Sequence, residues 1–499
     1  MRSASSPSIR FIVLTALLAL PASAAAQDAT VAKQRVDAHV MERAGDYERL
    51  AMDIWDLAEL GYLEHESSGL LQEQLKTAGF RVEAGVAGIP TAFTAEWGSG
   101  GPVIAILAEF DALPGITQDR VPERSPIETK GAGHACGHHL FGTASAAAAI
   151  AVRDWLEQSG RPGTIRLYGT PAEEGGGGKI YMVRAGLFDD VDVVLHWHAD
   201  DENSADPTSS LANISSKFRF RGVSAHAAGA PDRGRSALDG VEAMNHMVNL
   251  MREHVPDGTR IHYVITYGGA APNVVPDFAE VYYYVRHADV EMVRDLQQRV
   301  VRAAEGAARG TDTEVEHEII NGVFSLLPNV ALAQAMHANL SAVGGIEYDA
   351  DERRFAEVLR RSLPDDSPPL ESAAAVKPFE VPLGARQGGG STDVGDVSWA
   401  VPTVGLRVAT WVPGTSSHSW QAVAAGGTSI GTKGMLVAAK TLARTAVDLY
   451  LDPALVQNAK AEFEERRGPG YRHVSLVGDR PPPLDYRANP GGGSDTPRS

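Results

Sequence analysis

The chain has a single cysteine, Cys136, among its 499 residues, so it can form no internal disulfide. Aromatic residues make up only 7%, and basic residues are outnumbered, with 45 Lys and Arg against 63 Asp and Glu. The resulting net charge of −18 argues against non-specific binding to the phosphate backbone of nucleic acids. The 43% of hydrophobic residues is ordinary for a folded globular protein, and the length predicts two or three domains.

Long apolar runs are also lacking, apart from one near the N terminus. The apolar residues 11–20 follow Arg2 and Arg10 and precede the small residues 22–26. Because about 20 apolar residues are needed to span a bilayer, this pattern predicts a cleavable signal peptide over residues 1–26. An N-terminal membrane anchor is the alternative. We therefore expect a soluble protein that is periplasmic or secreted, with no stable membrane insertion.

Short apolar stretches alternate with helical patterns along most of the chain. Strands are expected at 103–108, 164–170, 191–195 and 404–408, and helices at 137–158 and 428–451. Such alternation predicts an α/β fold, with a larger, discontinuous domain formed by residues 27–212 and 325–464. The segment 213–324 reads strand-helix-strand-strand-helix and predicts an inserted α+β domain.

Two segments rich in Pro and Gly interrupt these patterns. Residues 362–390 predict a long loop, and a loop of that length inside a domain is usually functional or mobile. Residues 465–499 predict a disordered or loosely draped tail.

Side chains suited to metal binding cluster at the ends of the predicted strands. They are Glu109 and Asp111; His134, Cys136, His138 and His139; Glu173 and Glu174; His196 and His198; and His418. Open α/β sheets bind ligands at the carboxyl ends of their strands, so this distribution predicts one shared site. Thiolate and imidazole favour Zn or Mn over Ca.

Two questions stay open at this point. His196 and His198 point to the same face of a strand, so either could be a ligand. Of the adjacent carboxylates Glu173 and Glu174, one could bind metal while the other exchanges protons with water. Taken alone, the pair would more often be a solvated acidic turn, because acidic residues are mostly exposed.

Eight motifs together resemble the M20 metallopeptidase family, and in particular its amidohydrolase branch, which includes p-aminobenzoyl-glutamate hydrolases and aminoacylases. They are GHACGHH (133–139), PAEEGG (171–176), HWH (196–198), GVSAHAA (222–228), GRSALD (234–239), GGAAPNVVP (268–276), STDVGDVSW (391–399) and GTSSHSWQ (414–421). The resemblance implies a zinc-peptidase-like catalytic domain, with a central mixed sheet flanked by helices, and an inserted dimerisation (lid) domain.

The resemblance also implies two divalent metal ions, Mn or Zn, and a role for individual residues. The implied ligands are Cys136, His138, Glu174, His198 and His418. Glu173 would be the general base that activates water, and Asp111 would orient a ligand. His226 would reach the active site of a second subunit, where it would stabilise the oxyanion. Asn273 and Arg286 would contact the substrate carboxylate. Glu109 departs from the family pattern, since many relatives carry His or Arg there.

The predicted function is hydrolysis of the amide bond of N-acyl amino acids, p-aminobenzoyl-type compounds included, by a homodimer. One alternative is an exported dipeptidase or carboxypeptidase that uses the same site. The other is a non-catalytic metal- or peptide-binding protein. A second carboxylate beside the ligand Glu174 argues against this last alternative, because binding alone does not need Glu173.

Overall fold

The computed structural model describes residues 20–382 and 390–487, with side chains from residue 27 onward. The described strands are β1 (Arg81–Ala84), β2 (Phe93–Ser99), β3 (Val103–Ala108), β4 (Leu113–Pro114), β5 (Ala132–Gly133), β6 (Gly163–Gly169), β7 (Val193–Asp200), β8 (Ala212–Arg221), β9 (Arg260–Tyr267), β10 (Phe278–His287), β11 (Glu314–Val323) and β12 (Thr403–Ala409).

The described α-helices are α1 (Leu20–Glu42), α2 (Ala44–Leu57), α3 (His65–Thr77), α4 (His138–Ser159), α5 (Gly178–Arg184), α6 (Ala237–Met251), α7 (Val290–Thr311), α8 (Val330–Val343), α9 (Ala350–Leu359), α10 (Val394–Ala400), α11 (Trp420–Gly426), α12 (Ser429–Leu451) and α13 (Pro453–Arg467).

The central sheet is mixed and has the strand order β1-β2-β6-β3-β7-β12. Strands β6, β3, β7 and β12 run parallel, whereas β1 and β2 add an antiparallel edge. The carboxyl ends of the four parallel strands therefore meet at one edge of the sheet. The predicted fold class, α/β with a central mixed sheet flanked by helices, is confirmed.

Helices cover both faces of this sheet, because alternate residues of its strands are apolar on both sides. In β3, Ile104 and Ile106 pack into a core with α1, α2, α4, α8 and α12. Ala105 and Leu107 point the other way and pack with α5 and α10. The alanine-rich helix α4 is buried along most of its length, since its small side chains permit close packing on the sheet.

A second sheet, with the order β11-β8-β10-β9, is antiparallel throughout. Helices α6 and α7 pack on it around a core of its own, which includes Phe218, Met244 and Leu296. The sequence pattern predicted this unit except for β11. That strand lies at the edge of the sheet, and Glu314, Glu316 and Glu318 interrupt its apolar residues, so it carries no long apolar run.

The predicted tail begins inside a helix, since α13 continues to Arg467. Residues 468–487 then run without helix or strand, yet Leu476 and Val477 are buried. The described part is therefore draped on the protein, while residues 488–499 lie outside the described residues. Most of the predicted signal peptide lies outside them as well, as do residues 383–389 of the predicted loop. Within the described ranges, no helix combines the length and apolar character needed to cross a membrane.

Candidate metal centre

The predicted ligand residues come together at the carboxyl edge of the central sheet. Asp111 follows β3, Glu174 follows β6, His198 lies near the end of β7, and His418 lies in the loop after β12. The loop from β5 into α4 supplies Cys136 and, at the first helical position, His138. Because the four strands are parallel neighbours, side chains far apart in the sequence meet in one pocket.

Cys136 lies at the centre of this group of side chains. Its Sγ lies 3.4 Å from Nε2 of His198. Ligand atoms of Cys136, His138 and His198 all lie within 4.8 Å of one another, and so do those of Cys136, Glu174 and His418. The two sets share the sulfur of Cys136. They therefore offer two candidate positions for cations, and Cys136 would contribute its sulfur to both.

The chemistry of these side chains fits divalent transition metals. Sulfur, imidazole nitrogen and carboxylate oxygen are the donor types that zinc sites use. Nε2 of His138 is fully buried and forms no hydrogen bond, although Oε2 of Glu109 lies 3.1 Å away. A buried imidazole nitrogen without a hydrogen bond is costly, and a metal ion would satisfy it.

Asp111 holds two of the predicted ligands through one carboxylate. Its Oδ1 lies 2.9 Å from Nδ1 of His138, and its Oδ2 accepts a hydrogen bond from the backbone N–H of Glu174 at 2.9 Å. Burial opposes the charge of Asp111, but His138 and the Glu174 N–H hold the pKa of this carboxyl below its usual range. An ionised Asp111 therefore holds Nδ1 of His138 and leaves Nε2 as the nitrogen available to a metal ion.

His418 is the most exposed of the predicted ligands, with 52% of its side chain accessible. Its Nε2 lies 3.2 Å from Oε1 of Glu174. Its backbone has a φ of 60° and its N–H donates to the carbonyl of Ala135 at 2.9 Å, which ties the loop after β12 to the Cys136 loop. The loop thereby presents His418 at the mouth of the site.

Glu173 lies near His138, in a third group of potential ligands that does not include the cysteine. A carboxylate oxygen of Glu173 lies within 4.8 Å of ligand atoms of His138 and Glu109. Burial, followed by the charges of Glu109 and Glu174, raises the pKa of Glu173 well above its usual range. Glu173 also lines a cavity of about 620 Å³ together with Cys136, Glu174, His198 and His418. A cavity of this volume can hold a small-molecule substrate.

Comparison with known proteins identifies the family. The sequence profile of Peptidase family M20/M25/M40 matches residues 105–361. The chain is 43% identical to a p-aminobenzoyl-glutamate hydrolase subunit from Escherichia coli over 442 residues, which cover 84% of this chain and 92% of that protein. The chain belongs to the M20 family. It is therefore a metal-dependent hydrolase, as the sequence motifs predicted.

Other M20 relatives differ in the substrates that their names state. Xaa-Arg dipeptidase from Mus musculus is 30% identical over 460 residues, which cover 89% of this chain and 95% of that protein. An aminobenzoyl-glutamate utilization protein from Klebsiella pneumoniae has a similar structure, with a TM-score of 0.56 and 18% identity, covering 83% of this chain and 98% of that one. A dinuclear metal-binding M20 peptidase from Bacillus subtilis gives a TM-score of 0.55 at 18% identity, covering 82% and 99%. At these identities the structural likeness shows the fold.

The two histidines of the HWH motif have different surroundings in this M20 chain. Both line the cavity, but only His198 belongs to a potential ligand set among the described residues. The ring of His196 packs over Gly405 of the neighbouring strand β12, where a β-carbon would come within 2.3 Å of its Nε2. Burial lowers the pKa of His196 to about 3 and that of His198 to about 4, so protonation does not distinguish the two rings. This geometry favours His198 as the ligand.

Sequence reasoning missed a buried ion cluster beside the metal centre. Nζ of Lys179, on α5, lies 2.7 Å from both Oε1 of Glu109 and Oδ1 of Asp393, and all three side chains are at most 1% exposed. Burial opposes the charge of Lys179, but Asp393 and Glu109 raise the pKa of its ammonium above the usual value. The only local sign of this cluster in the sequence is Lys179 itself, a lysine that follows four glycines and begins a short, largely apolar stretch.

The residues predicted in the second sheet lie elsewhere. His226 and Asn273 are exposed and close to each other, since the Ala227 N–H donates to the Asn273 carbonyl at 3.0 Å. Arg286 is on β10, with its guanidinium 5.3 Å from the centre of the Tyr284 ring. None of the three is among the described residues that line the cavity. Within one chain, the structure does not bring them to the predicted ligands.

Proposed function

We propose that this protein hydrolyses the amide bond of N-acyl amino acids at a two-metal centre and releases a free amino acid. The observation that carries this proposal is the pair of ligand sets that share Cys136, with Glu173 beside them in the same cavity. The ligands would be Cys136, His138 and His198 for one cation, and Cys136, Glu174 and His418 for the other. Mn and Zn both suit these donors.

The protein's own residues account for the proton transfers. Two divalent cations, when bound, would polarise the scissile carbonyl and lower the pKa of water. Glu173 takes the proton from the attacking water and returns it to the leaving nitrogen. Asp111 keeps His138 in the correct tautomer and orientation.

The acyl group is proposed from the E. coli relative. That protein's name states p-aminobenzoyl-glutamate, and it is 43% identical to this chain. We therefore expect an aromatic N-acyl group and an amino acid with a free carboxylate as the first candidate substrate.

A dipeptide with a cationic residue is a second candidate, which the acidity of the cavity favours. Besides the carboxylates near the predicted ligands, the cavity is lined by Asp201, Glu202 and Asp206. Its described lining holds one Arg or Lys, Arg407, which forms an ion pair with Asp200. This charge distribution suits a substrate with a cationic side chain better than one whose side chain is a second carboxylate, as in glutamate. The two relatives that are 30% identical to this chain are also named Xaa-Arg dipeptidases.

The proposal includes a homodimer formed through residues 213–324. Strand β9 lies at the edge of the second sheet and exposes Tyr263, Val264, Ile265 and Tyr267. An exposed apolar edge strand is a surface on which another strand can pair. In such a dimer His226 of one subunit would stabilise the oxyanion in the other, and Asn273 and Arg286 would contact the substrate carboxylate. A heteromeric partner is the competing outcome, since the name of the E. coli relative makes it one subunit of its enzyme.

Product analysis tests the proposed reaction. The purified chain is treated with chelator, reloaded with Mn or Zn, and incubated with p-aminobenzoyl-glutamate, other N-acyl amino acids and Xaa-Arg dipeptides. We expect release of the free amino acid from at least one class, and loss of that release in Glu173→Gln with the bound metal unchanged. Hydrolysis confined to substrates with a free α-amine would favour the dipeptidase. A loaded chain that cleaved none of them would refute the proposal.

We also propose export, from the predicted signal peptide at residues 1–26. Cell fractionation of the full chain is expected to yield a shortened protein outside the cytoplasm. Retention of the full-length protein in the cytoplasm would contradict this.

A further inference from the structure

Residues 468–487, the described segment beyond α13, are tied to both sheets of the protein. Near the start of this segment, the Tyr471 ring packs on Trp399 with centroids 4.9 Å apart. Nε2 of His473 lies 2.8 Å from Oδ1 of Asp396. These contacts fix the beginning of the segment on α10, next to the central sheet.

The middle of the segment fills a seam between the two sheets. Leu476 is buried in the core of the second sheet, and Val477 is buried in the core that contains α5 and α10. The Arg480 guanidinium donates to the carbonyl of Ile320 on β11 at 2.9 Å. On the other side, Arg184 of α5 donates to the Gly478 carbonyl at 2.7 Å. The path of the segment is therefore fixed before it reaches the metal centre.

The end of the segment contacts a predicted metal ligand. The Tyr486 hydroxyl donates to the backbone carbonyl of Glu174 at 3.0 Å, and the Arg487 guanidinium donates to the same carbonyl at 2.8 Å. The guanidinium carbon of Arg487 lies 4.8 Å from the centre of the Tyr486 ring. The Tyr486 ring also packs edge-on against Tyr62, with centroids 5.6 Å apart.

The turn that carries Glu174 is held by external contacts as well as by its own backbone, in which Gly176 and Gly177 N–H donate to the Ala172 carbonyl at 3.0 and 2.7 Å. Four glycines follow Glu174, and Gly175 and Gly177 have φ values of 97° and 70°, so this stretch has no side chains of its own to fix it. Its successive carbonyls are instead hydrogen-bonded from outside. Asn321 donates to Gly175 at 3.1 Å, and Tyr62 donates to Gly176 at 2.9 Å. For Glu174 itself, the carbonyl is held by Tyr486 and Arg487.

We propose that residues 468–487 form a strap that belongs to the active site, in which Tyr486 and Arg487 are positioning residues for Glu174. With Asp111 on its N–H and the strap on its carbonyl, Glu174 is fixed on both sides, and its carboxylate is directed at the second cation position. This inference rests on the proposed role of Glu174 as a metal ligand. It needs no assumption about the substrate.

Metal affinity measured on the purified full chain tests the strap. The Tyr486→Phe/Arg487→Leu variant removes both donors, and the Arg472→Leu/Asp485→Asn variant changes two exposed strap residues as a matched control. Zn binding to the chelator-treated protein is titrated against a competing chelator. We expect the dissociation constant of the weaker site to rise by about tenfold or more in the first variant, as when other groups that orient a ligand are removed. The single variant Arg487→Lys keeps Tyr486 and a donor at position 487. Its zinc dissociation constant should therefore lie between those of the wild type and the double variant.

A truncated variant keeps the test decisive if the double variant folds poorly. A chain that ends at Asp485 removes both donors and leaves the buried Leu476 and Val477 anchors in place. Unchanged zinc affinity in a folded variant of either kind would overturn the proposal. Weakened zinc affinity in a protein that cleaves none of the tested amides would support the strap and refute the proposed function. A wild-type chain that bound no divalent metal would overturn both.

Discussion

Oδ1 of Asp111 lies 2.9 Å from Nδ1 of His138, and the other oxygen of the same carboxylate accepts the backbone N–H of Glu174. One buried anion thus orients ligands that belong to both proposed cation positions. The amide of Asn has only one acceptor oxygen, so in Asp111→Asn one of these two hydrogen bonds is lost. We expect dissociation constants for Zn or Mn to rise about 10- to 100-fold. Chelator competition measures this, with the exposed Asp53→Asn as control; unchanged affinity would contradict the orienting role.

Cys136 is shared between the two ligand sets, whereas His418 belongs to one. Removing the thiolate should therefore weaken both cation positions, and removing His418 should weaken only one. We expect metal analysis of the loaded proteins to give close to two ions for the wild type, about one for His418→Ala and fewer than one for Cys136→Ala. The exposed His246→Ala is the matched control. Equal metal content in the two ligand variants would exclude a bridging cysteine.

Lys179 neutralises two carboxylates, Glu109 and Asp393, in a fully buried cluster. Lys179→Met would leave both anions without their cation, and breaking a buried ion pair from one side costs about 3–5 kcal/mol. Urea unfolding of the metal-free protein measures this loss. Lys377→Met, which breaks an exposed pair with Glu202, should cost about 1 kcal/mol or less. The Lys179→Met/Asp393→Asn double variant should recover part of the lost stability. Equal losses in Lys179→Met and Lys377→Met would contradict a stabilising role for the buried cluster.

Much of the fold follows from local sequence pattern. The apolar run Val103–Ala108 forms strand β3 with the predicted bounds, and α12 begins within one residue of its expected start. Strand β7 continues to Asp200, two residues beyond His198, where the HWH motif was expected to end the strand. The apolar run 191–195 alone does not include the part of the strand that presents His196 and His198 to the site.

The candidate site could be predicted only in part. The family motifs identified side chains that the sheet brings together, since those side chains follow strands with clear apolar patterns. The ion pair between Lys179 and Asp393 could not be predicted from local sequence, because 214 residues separate them. The contact of Tyr486 with Glu174 could not be predicted either, because residues 468–487 are rich in proline and charge and show no helical or strand periodicity.

The proposed sharing of His226 between subunits predicts complementation. Chains carrying Glu173→Gln and His226→Ala are each expected to be nearly inactive as homodimers. In the heterodimer, the site with an intact Glu173 faces the partner that retains His226. Purified heterodimers should therefore regain about half of the wild-type activity, since one of two sites is complete. Dimers in which both chains carry Glu173→Gln serve as the inactive control. Heterodimers no more active than the parent homodimers would exclude a shared site.

Asp201 predicts a pH dependence of stability that is separate from metal binding. Burial and the neighbouring Asp200 raise the pKa of Asp201 to about 6 in the folded protein, while its Oδ2 accepts the Gly414 N–H at 2.7 Å in the loop that leads to His418. Since the folded-state pKa is above the usual 3.8, the protonated form favours folding. This contribution is complete below about pH 4 and is lost as the pH rises through about 6.

The Asp201→Asn variant keeps an acceptor for Gly414 and removes the charge. We expect it to be more stable than the wild type at pH 8 by about 1 kcal/mol, after allowance for solvent screening of this partly exposed group. Near pH 4 the difference should vanish, because the wild-type carboxyl is then protonated. Urea unfolding of chelator-treated protein at both pH values measures it, with the exposed Asp366→Asn as control. A gain of the same size at both pH values would show that removal of the charge is not its cause.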